Sequence, residues 1–471
     1  VKKIKIMASY DWSMRFATME FLKFLDPVIR YNGKEYKLEL GRVVADPIVC
    51  GQDLKPVADF VVDRTVHWND FYKCWGQQAL HCQMKIANHT NTFATYEKHS
   101  TYDLMARAMH PKDRFPVTVL LPQFYPYTED QERQDMWEYE QKLITENTKL
   151  GFDEFRRSTD WEAVQKKLKR AYSGQERSKL VRELFYPRGN YLKEVVEKHF
   201  NNKFPMYLKK VNGGGGSDVY KIYSLEELYR KYDETGGRAF HLQEAIEDYD
   251  LFVRCMGVGP QILPMKFLPD KPLHEHYSPE KLVLEKEARE RLFSYVMFIN
   301  SYHRWTYNSF ESIFKNGQIH PIDFANACPD SNFTSLHVHF PWLICAKIKW
   351  FSYCAIVRDN MGIDIKEEEY LNVFNAPNKT PLEKYEFHQK KSKEYFEIEK
   401  FEEFCEQNFK NIKEDMVRFY DSRFEDVIRH AIHFSDFPKE EHDRFFNEYK
   451  KTMDTVFRPN AMEYLTAVPN C

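Results

Sequence analysis

The chain has 471 residues, 43% of them hydrophobic and 16% aromatic, with 37 Phe and 29 Tyr. That length exceeds one ordinary domain and supplies apolar material for two or three cores. The 68 basic and 71 acidic residues leave a net charge of −3, which gives no field for nucleic acid or an anionic membrane.

Nine cysteines, an odd count, stand without a C-x-x-C pair. A chain of this size needs no disulfide staples, so the expected setting is reducing and cytoplasmic. The start leads directly into a strand-like segment with no signal-peptide core. Residues 340–357 are apolar, but Lys347 and Lys349 interrupt them. They fall short of the ~20 residues of a membrane span and read as a buried helix.

Residues 5–9 read as a strand. Asp11 is a candidate cap for a helix through Leu25, with Phe16, Met19, Phe21, Leu22 and Leu25 at helical spacing. Short apolar runs at 43–45, 60–62 and 84–87 have the character of parallel strands, so this part is α/β. Residues 97–109 are helical, with Tyr102, Leu104, Met105 and Met109 as the apolar set. Lys98 stands at the helix entry, after a loop that begins at Asn88. A lysine there opposes the helix dipole; a bound anion and simple solvation are both compatible with it.

Residues 115–122 read as a strand bounded by prolines. Residues 123–203 are charged and helical, with amphipathic pieces at 161–172 and 179–186, and read as an insertion. Strands return at 207–211, 218–222, 241–245 and 251–256. Ser224 caps a helix over 225–232 that carries Glu226 and Glu227 in its first turn. After residue 340 the pattern is helical to the end.

Four of the 17 glycines form one run, Gly213, Gly214, Gly215 and Gly216, followed by Ser217. The run joins two strand-like segments, the first containing Lys209 and Lys210. A glycine tip lets backbone N–H groups approach an anion closely, and a nearby lysine adds charge. A flexible linker has the same composition. The segment from His241 to Arg254 places Glu244, Ile246 and Asp250 in a strand–strand connector. Backbone groups there suit a base edge and a carboxylate suits ribose hydroxyls; an acidic turn reads the same way.

Residues 310–314 and 319–322 form a hairpin around Asn316-Gly317. Glu311 and Asp323 then lie on neighbouring strands with Asn326 just beyond, a set of hard oxygen donors suited to Mg²⁺. Asp323 and Asn326 are also ordinary turn residues before Pro329. His337 and His339 share one face if their segment is extended, with no third ligand evident. Cys328 beside the acidic hairpin reads as a buried, inert thiol.

In this order, Asn88, Lys98, Pro116-Val-Thr118, Pro205 to Lys209 with the glycine run, Gln243-Glu244-Ala245-Ile246 with Asp250, and Asp323 with Asn326 resemble the ATP-grasp family over residues 1–335. The resemblance implies an ATP-grasp fold of α/β and α+β parts. The N-terminal pre-grasp domain would span 1–95 and the grasp domain 96–122 and 204–340, with 123–203 reading as a helical insertion and 341–471 as a helical C-terminal extension beyond the resemblance. It implies ATP and Mg²⁺ as cofactors. Lys98 and Lys209 would contact phosphates under the loop Gly213, Gly214, Gly215, Gly216 and Ser217. Glu244 and Ile246 would offer backbone groups to adenine, and Asp250 would hold ribose. Glu311, Asp323 and Asn326 would hold Mg²⁺. Arg304 and Arg254 are candidates to neutralise an acyl phosphate.

The implied reaction joins a small-molecule carboxylate to an amine, with no nucleic-acid or membrane partner and with a homodimer possible. A kinase acting on a hydroxyl and a nucleotide-binding scaffold without turnover are the alternatives. Two departures stand out: the helical insertion and the helical tail after Phe340 lie outside the family's common core, and the metal motif differs. The family's last metal motif is Glu-x-Asn, whereas here it is Asp323-Phe-Ala-Asn326, with one extra residue.

Overall fold

A computed structural model describes residues 2–8, 13–62, 69–89, 91–94, 98–121, 188–211, 218–234, 238–327, 329–359, 361 and 366–466. They fall into two compact units. One comprises Val1–Tyr96, Ser100–Phe115 and Asp248–Cys471, and the other Glu97–His99 and Pro116–Glu247.

The first unit contains the expected α/β sheet. β1 (Lys2–Ala8) lies between β3 (Lys34–Arg42) and β4 (Phe60–Val62), parallel to both. β5 (Lys85–Ala87) extends the parallel set, and β2 (Ile29–Tyr31) closes the other edge antiparallel. The helix Ser13–Leu25 follows β1 as its apolar spacing predicts; Asp11 lies outside the described residues. The run 43–45 is not a strand. β1 ends opposite Arg42, so the ladder offers no further partner. Val43 instead buries itself beside Trp75 and Ile86.

A second sheet in this unit has the order β11-β10-β12-β13, antiparallel throughout. Its strands are β10 (Leu251–Val258), β11 (Gln261–Lys266), β12 (Tyr307–Lys315) and β13 (Gln318–Asn326). The helix Lys286–Tyr302 covers one face so closely that a Cβ on Gly257 would lie 2.9 Å from Asn300 Nδ2. The β12–β13 hairpin turns at Asn316-Gly317, both at positive φ (51° and 75°), as the sequence predicts.

Buried charge clamps that turn. Arg291 donates to Asp113 at 2.8 Å and to the Gly317 carbonyl at 3.0 Å. Tyr295 donates to the same carboxylate at 2.6 Å, and the Ile319 N–H donates to its other oxygen at 3.0 Å. Every oxygen of Asp113 is thereby hydrogen-bonded, which is what a fully buried carboxylate requires.

The helix Phe340–Ile356 is buried, as its apolar run implies. Its Trp350 sits on Gly259, which has φ +58° and would place a Cβ 2.2 Å from the indole. The described residues beyond it are helical, and their aromatic side chains share one core with both sheets of the unit. No helix among the described residues is long and apolar enough to cross a membrane.

The second unit is built on one antiparallel sheet of order β6-β9-β7-β8: β6 (Thr118–Leu121), β7 (Met206–Lys210), β8 (Val219–Ile222) and β9 (Phe240–Glu244). Leu121, Met206, Leu208, Ile222, Phe240 and Leu242 line its apolar face. The helices Arg188–Phe200 and Leu225–Glu234 cover that face with Leu192, Val196 and Leu228. Ser224 caps the second helix as expected, its Oγ accepting from the Glu227 N–H at 3.1 Å. Of the expected insertion at 123–203, residues 123–187 lie outside the described residues, and Arg188–Phe200 is a helix as expected.

Two stability predictions follow from this packing. Gly259→Ala forces a methyl into Trp350 at a backbone conformation that disfavours a side chain, and should cost about 2–4 kcal/mol in urea unfolding. Burial lowers the pKa of His303 and His388 to about 3 and of His339 to about 4. The unfolded chain, titrating near 6.5, binds more protons than the fold, so stability falls as pH drops below 6.5. Each such histidine contributes about 1.4 kcal/mol per pH unit. The slope of stability between pH 6 and pH 5, measured by denaturant titration, should be shallower by about that amount in His388→Phe.

Candidate functional site

Each unit presents one polar sheet face, and the strand registers determine what lies on it. In the second unit β7 pairs with β9 so that Tyr207 faces Gln243 and Lys209 faces His241. Thr118 of β6 pairs with Gln243 from the other side. Paired residues of antiparallel strands share a face, so these polar groups stand together opposite the apolar core. Lys209 Nζ donates to Gln243 Oε1 at 2.7 Å, and Gln243 Nε2 donates to Thr118 Oγ1 at 2.8 Å. The amide is thus held in one orientation, its oxygen turned to the lysine.

His241 is buried on this face, and its Nε2 lies 3.1 Å from His99 Nδ1. Burial, with the charges of His99, Lys209 and Lys98, lowers its pKa to about 3. The imidazole is therefore neutral at physiological pH. Lys98 and Lys209 both disfavour a charge on this imidazole, in keeping with positive charge near this face. Lys98 opens the helix Lys98–Ala108, as the sequence predicts.

In the first unit β10 pairs with β12 so that Arg254 faces Glu311, and β13 pairs with β12 so that Asp323 faces Glu311 and Asn326 faces Ser309. From Ser309 to Glu311 is two residues, whereas from Asn326 to Asp323 is three. A register shift absorbs the difference, and a second follows between Glu311 and Ser312. In a regular strand, residues three apart point to opposite faces. The bulge cancels that inversion. Asp323 and Asn326 both pair with residues on the face of Arg254 and Glu311. The extra residue in Asp323-Phe-Ala-Asn326 is taken up by the backbone.

Arg254 Nη1 lies 3.4 Å from Glu311 Oε1, and Nη2 donates to Ser309 Oγ at 3.2 Å. Burial works against its charge, but Tyr277, Glu311, Asp330 and Asp323 outweigh that and hold its pKa above the ordinary value. Three carboxylates to one guanidinium leave the face anionic. Among the described residues no three His, Cys, Asp or Glu side chains close on a metal position. Two carboxylates and an amide oxygen fit Mg²⁺, which takes few protein ligands and completes its shell with water and phosphate.

The remaining expected site residues are placed as follows. The Glu244 N–H donates to the Val117 carbonyl at 2.8 Å, and its carboxylate accepts from the Val117 N–H at 3.2 Å. That N–H is committed to the fold, so of the backbone groups expected to face a base only the carbonyl of Glu244 is left for that role. Ile246 is buried. Asp250 Oδ2 accepts from the Asn316 N–H at 2.7 Å, bracing the hairpin turn. Arg304 lies 5.0 Å from the Tyr395 ring centroid, whereas Arg254 sits inside the acidic set. Asn88 is structural: it accepts from the Thr306 N–H at 2.8 Å and donates to the Ala327 carbonyl at 3.0 Å. Gly213, Gly214, Gly215, Gly216, Ser217 and Cys328 lie outside the described residues.

His337 and His339 do not share the face of an extended strand. They lie in a 3₁₀ turn. His339 Nε2 donates to the Ser278 carbonyl at 2.8 Å, and His337 bonds the Tyr277 backbone. They hold a backbone segment, as buried neutral histidines do. The sequence reading assigned no role to Gln243, His241, Ser309, Asp330 or Tyr277. Alternation along 207–209 and 241–243 is the signal for the first two. The others depend on pairing between distant strands. Pro321 lies in β13, the edge strand of its sheet, beside the second register shift; an edge strand tolerates proline.

No protein-family model matches the chain, and none of the curated proteins does. Solved structures that it resembles include D-alanine–D-alanine ligase from Bacillus anthracis complexed with ATP. That match has 11% identity and a TM-score of 0.37, over 85% of this chain and 100% of that one. Another is a RimK domain protein, ATP-grasp, from Sphaerobacter thermophilus, with 10% identity and a TM-score of 0.38 over 70% and 92% of the two chains. A third is VanG D-Ala:D-Ser ligase from Enterococcus faecalis, with 12% identity and a TM-score of 0.39 over 75% and 97%.

Arg254 is the internal counter-charge of the acidic face. Arg254→Met leaves the carboxylates without it and should destabilise the protein by about 3 kcal/mol in urea unfolding. Millimolar Mg²⁺ should restore part of that loss.

Proposed function

We propose that the protein is an ATP- and Mg²⁺-dependent ligase that joins a carboxylate to an amine, acting on an amino acid or small peptide, with release of ADP and phosphate. The observation that carries this reading is the gathering of Glu311, Asp323, Asn326, Ser309 and Arg254 on one sheet face, across a motif whose spacing alone would separate Asp323 from Asn326.

Glu311, Asp323 and the Asn326 amide oxygen would hold Mg²⁺, which supplies charge neutralisation at phosphate oxygens. Lys209 and Lys98 supply cations for the phosphates, and Gln243 fixes Lys209. The glycine run Gly213 to Gly216 with Ser217 belongs to the same proposal as a phosphate loop. Ile246 and the Glu244 carbonyl serve adenine, and the Asp250 oxygen not bonded to Asn316 serves ribose. Arg254 suits the phosphoryl group in transfer, because guanidinium binds phosphate in two-point fashion; Arg304 is the second candidate.

In this reading a substrate carboxylate oxygen bonds to the γ-phosphorus of ATP as its bond to ADP breaks. An amine would then attack the acyl carbon, the C–O bond to phosphate would break, and phosphate would leave as the nitrogen gives up a proton to it or to water. Positioning and charge neutralisation do most of the catalytic work. A cytoplasmic setting and small-molecule partners belong to the same proposal, as does a homodimer as a possible assembly.

The test is thermal unfolding with and without millimolar Mg·ATP. Binding to the fold alone raises the midpoint, by about 2.7 kcal/mol of stability at one hundred times Kd. The rise should need Mg²⁺ and should shrink in both Asp323→Asn and Lys209→Met. No rise in the wild type would refute nucleotide binding. A rise with no ADP release across mixtures of carboxylates and amines would favour a binding scaffold. A stable phosphorylated alcohol, in place of an acyl phosphate trapped by hydroxylamine, would favour a kinase.

A further inference from the structure

Tyr277 is 1% exposed, and its hydroxyl, fully buried, has no hydrogen-bond partner among the described residues. A buried hydroxyl without a partner is costly and calls for an explanation. Its surroundings are those of the acidic face. The Arg254 guanidinium lies 5.8 Å from the Tyr277 ring centroid, and the phenol lies in the field of Arg254, Asp330 and Glu311. The backbone on either side is fixed: Phe267 bridges Tyr277, His337 bonds its backbone, and His339 holds the Ser278 carbonyl at 2.8 Å. The fold thus secures the segment while leaving the phenol end uncommitted. Burial raises the phenol pKa, so the group is a hydrogen-bond donor at any physiological pH.

We infer that the Tyr277 hydroxyl is a ligand-binding group of the acidic face, donating a hydrogen bond to an anionic oxygen of the phosphoryl group beside Arg254. This inference rests on the nucleotide-dependent reading of the site and adds to it a neutral donor whose role needs no charge change. The paired histidines, which the ligase chemistry leaves unused, become the support that holds Tyr277 in place.

The experiment compares wild type with Tyr277→Phe, which removes only the hydroxyl. Two quantities are measured: the unfolding midpoint without ligand, and the affinity for Mg·ADP alone and for Mg·ADP with fluoroaluminate, a stand-in for the phosphoryl group in transfer. Tyr277→Phe should unfold at the same temperature as wild type or higher, because a partnerless hydroxyl has been removed. Its affinity for Mg·ADP should be unchanged, while the tightening produced by fluoroaluminate should fall at least tenfold. A lower midpoint would mean that the hydroxyl serves the fold, and equal tightening in both proteins would mean that it does not touch the phosphoryl group; either result overturns the inference. Failure of wild type to bind Mg·ADP at all would remove the nucleotide reading itself, and this inference with it.

Discussion

The acidic face depends on the register of β13 against β12. Two carboxylates and an amide three residues apart make a ligand set only if the backbone corrects the inversion that regular pleating imposes. The bulge between the Asn326–Ser309 and Asp323–Glu311 pairs makes that correction. A bulge of this kind needs an anchored strand, because an edge strand free to slip by one residue would exchange its faces. The anchors stand at the hairpin end. The buried Asp113 carboxylate holds the Ile319 N–H and, through Arg291, the Gly317 carbonyl, while Asp250 holds the Asn316 N–H. With the turn fixed, the extra residues can be absorbed only further along β13.

The two units use one device with opposite charge. Each has an antiparallel sheet with one face sealed by helices, so the polar residues of alternate positions collect on the other. In the second unit the collected groups are lysines beside a histidine kept neutral by burial. In the first they are carboxylates around one arginine. Alternation is sufficient to segregate polar from apolar groups, and pairing then decides which polar groups meet. Lys209 meets Gln243 because their strands are neighbours in the sheet, although they are 34 positions apart in the chain.

Much of this fold was legible in the sequence. Asn316-Gly317 marked the hairpin and Ser224 the helix start, and the strand signals at 207–211 and 241–245 lie within one residue of β7 and β9, because each of these signals is local. What was not legible arises from partners far away in the chain. The run 43–45 has strand composition but no ladder partner, since β1 ends opposite Arg42. The His337 and His339 spacing suggested one face of a strand, but a 3₁₀ turn and the carbonyl of Ser278 decide their orientation. Tyr277 had no motif at all, and only the contact of its segment with those histidines and with Arg254 brings it to the site. The departure of Asp323-Phe-Ala-Asn326 from the family spacing was visible, yet its accommodation by a bulge required the register itself.

The most direct test of this account is binding of Mn²⁺, as a spectroscopic substitute for Mg²⁺, followed by electron paramagnetic resonance in the presence of ATP. Wild type and Asn326→Ala are to be compared. If the bulge turns Asn326 to the face of Glu311 and Asp323, loss of its amide oxygen should weaken nucleotide-dependent Mn²⁺ binding about tenfold, the order of one lost metal-site contact. Equal binding by the two proteins would place Asn326 off that face and contradict the account.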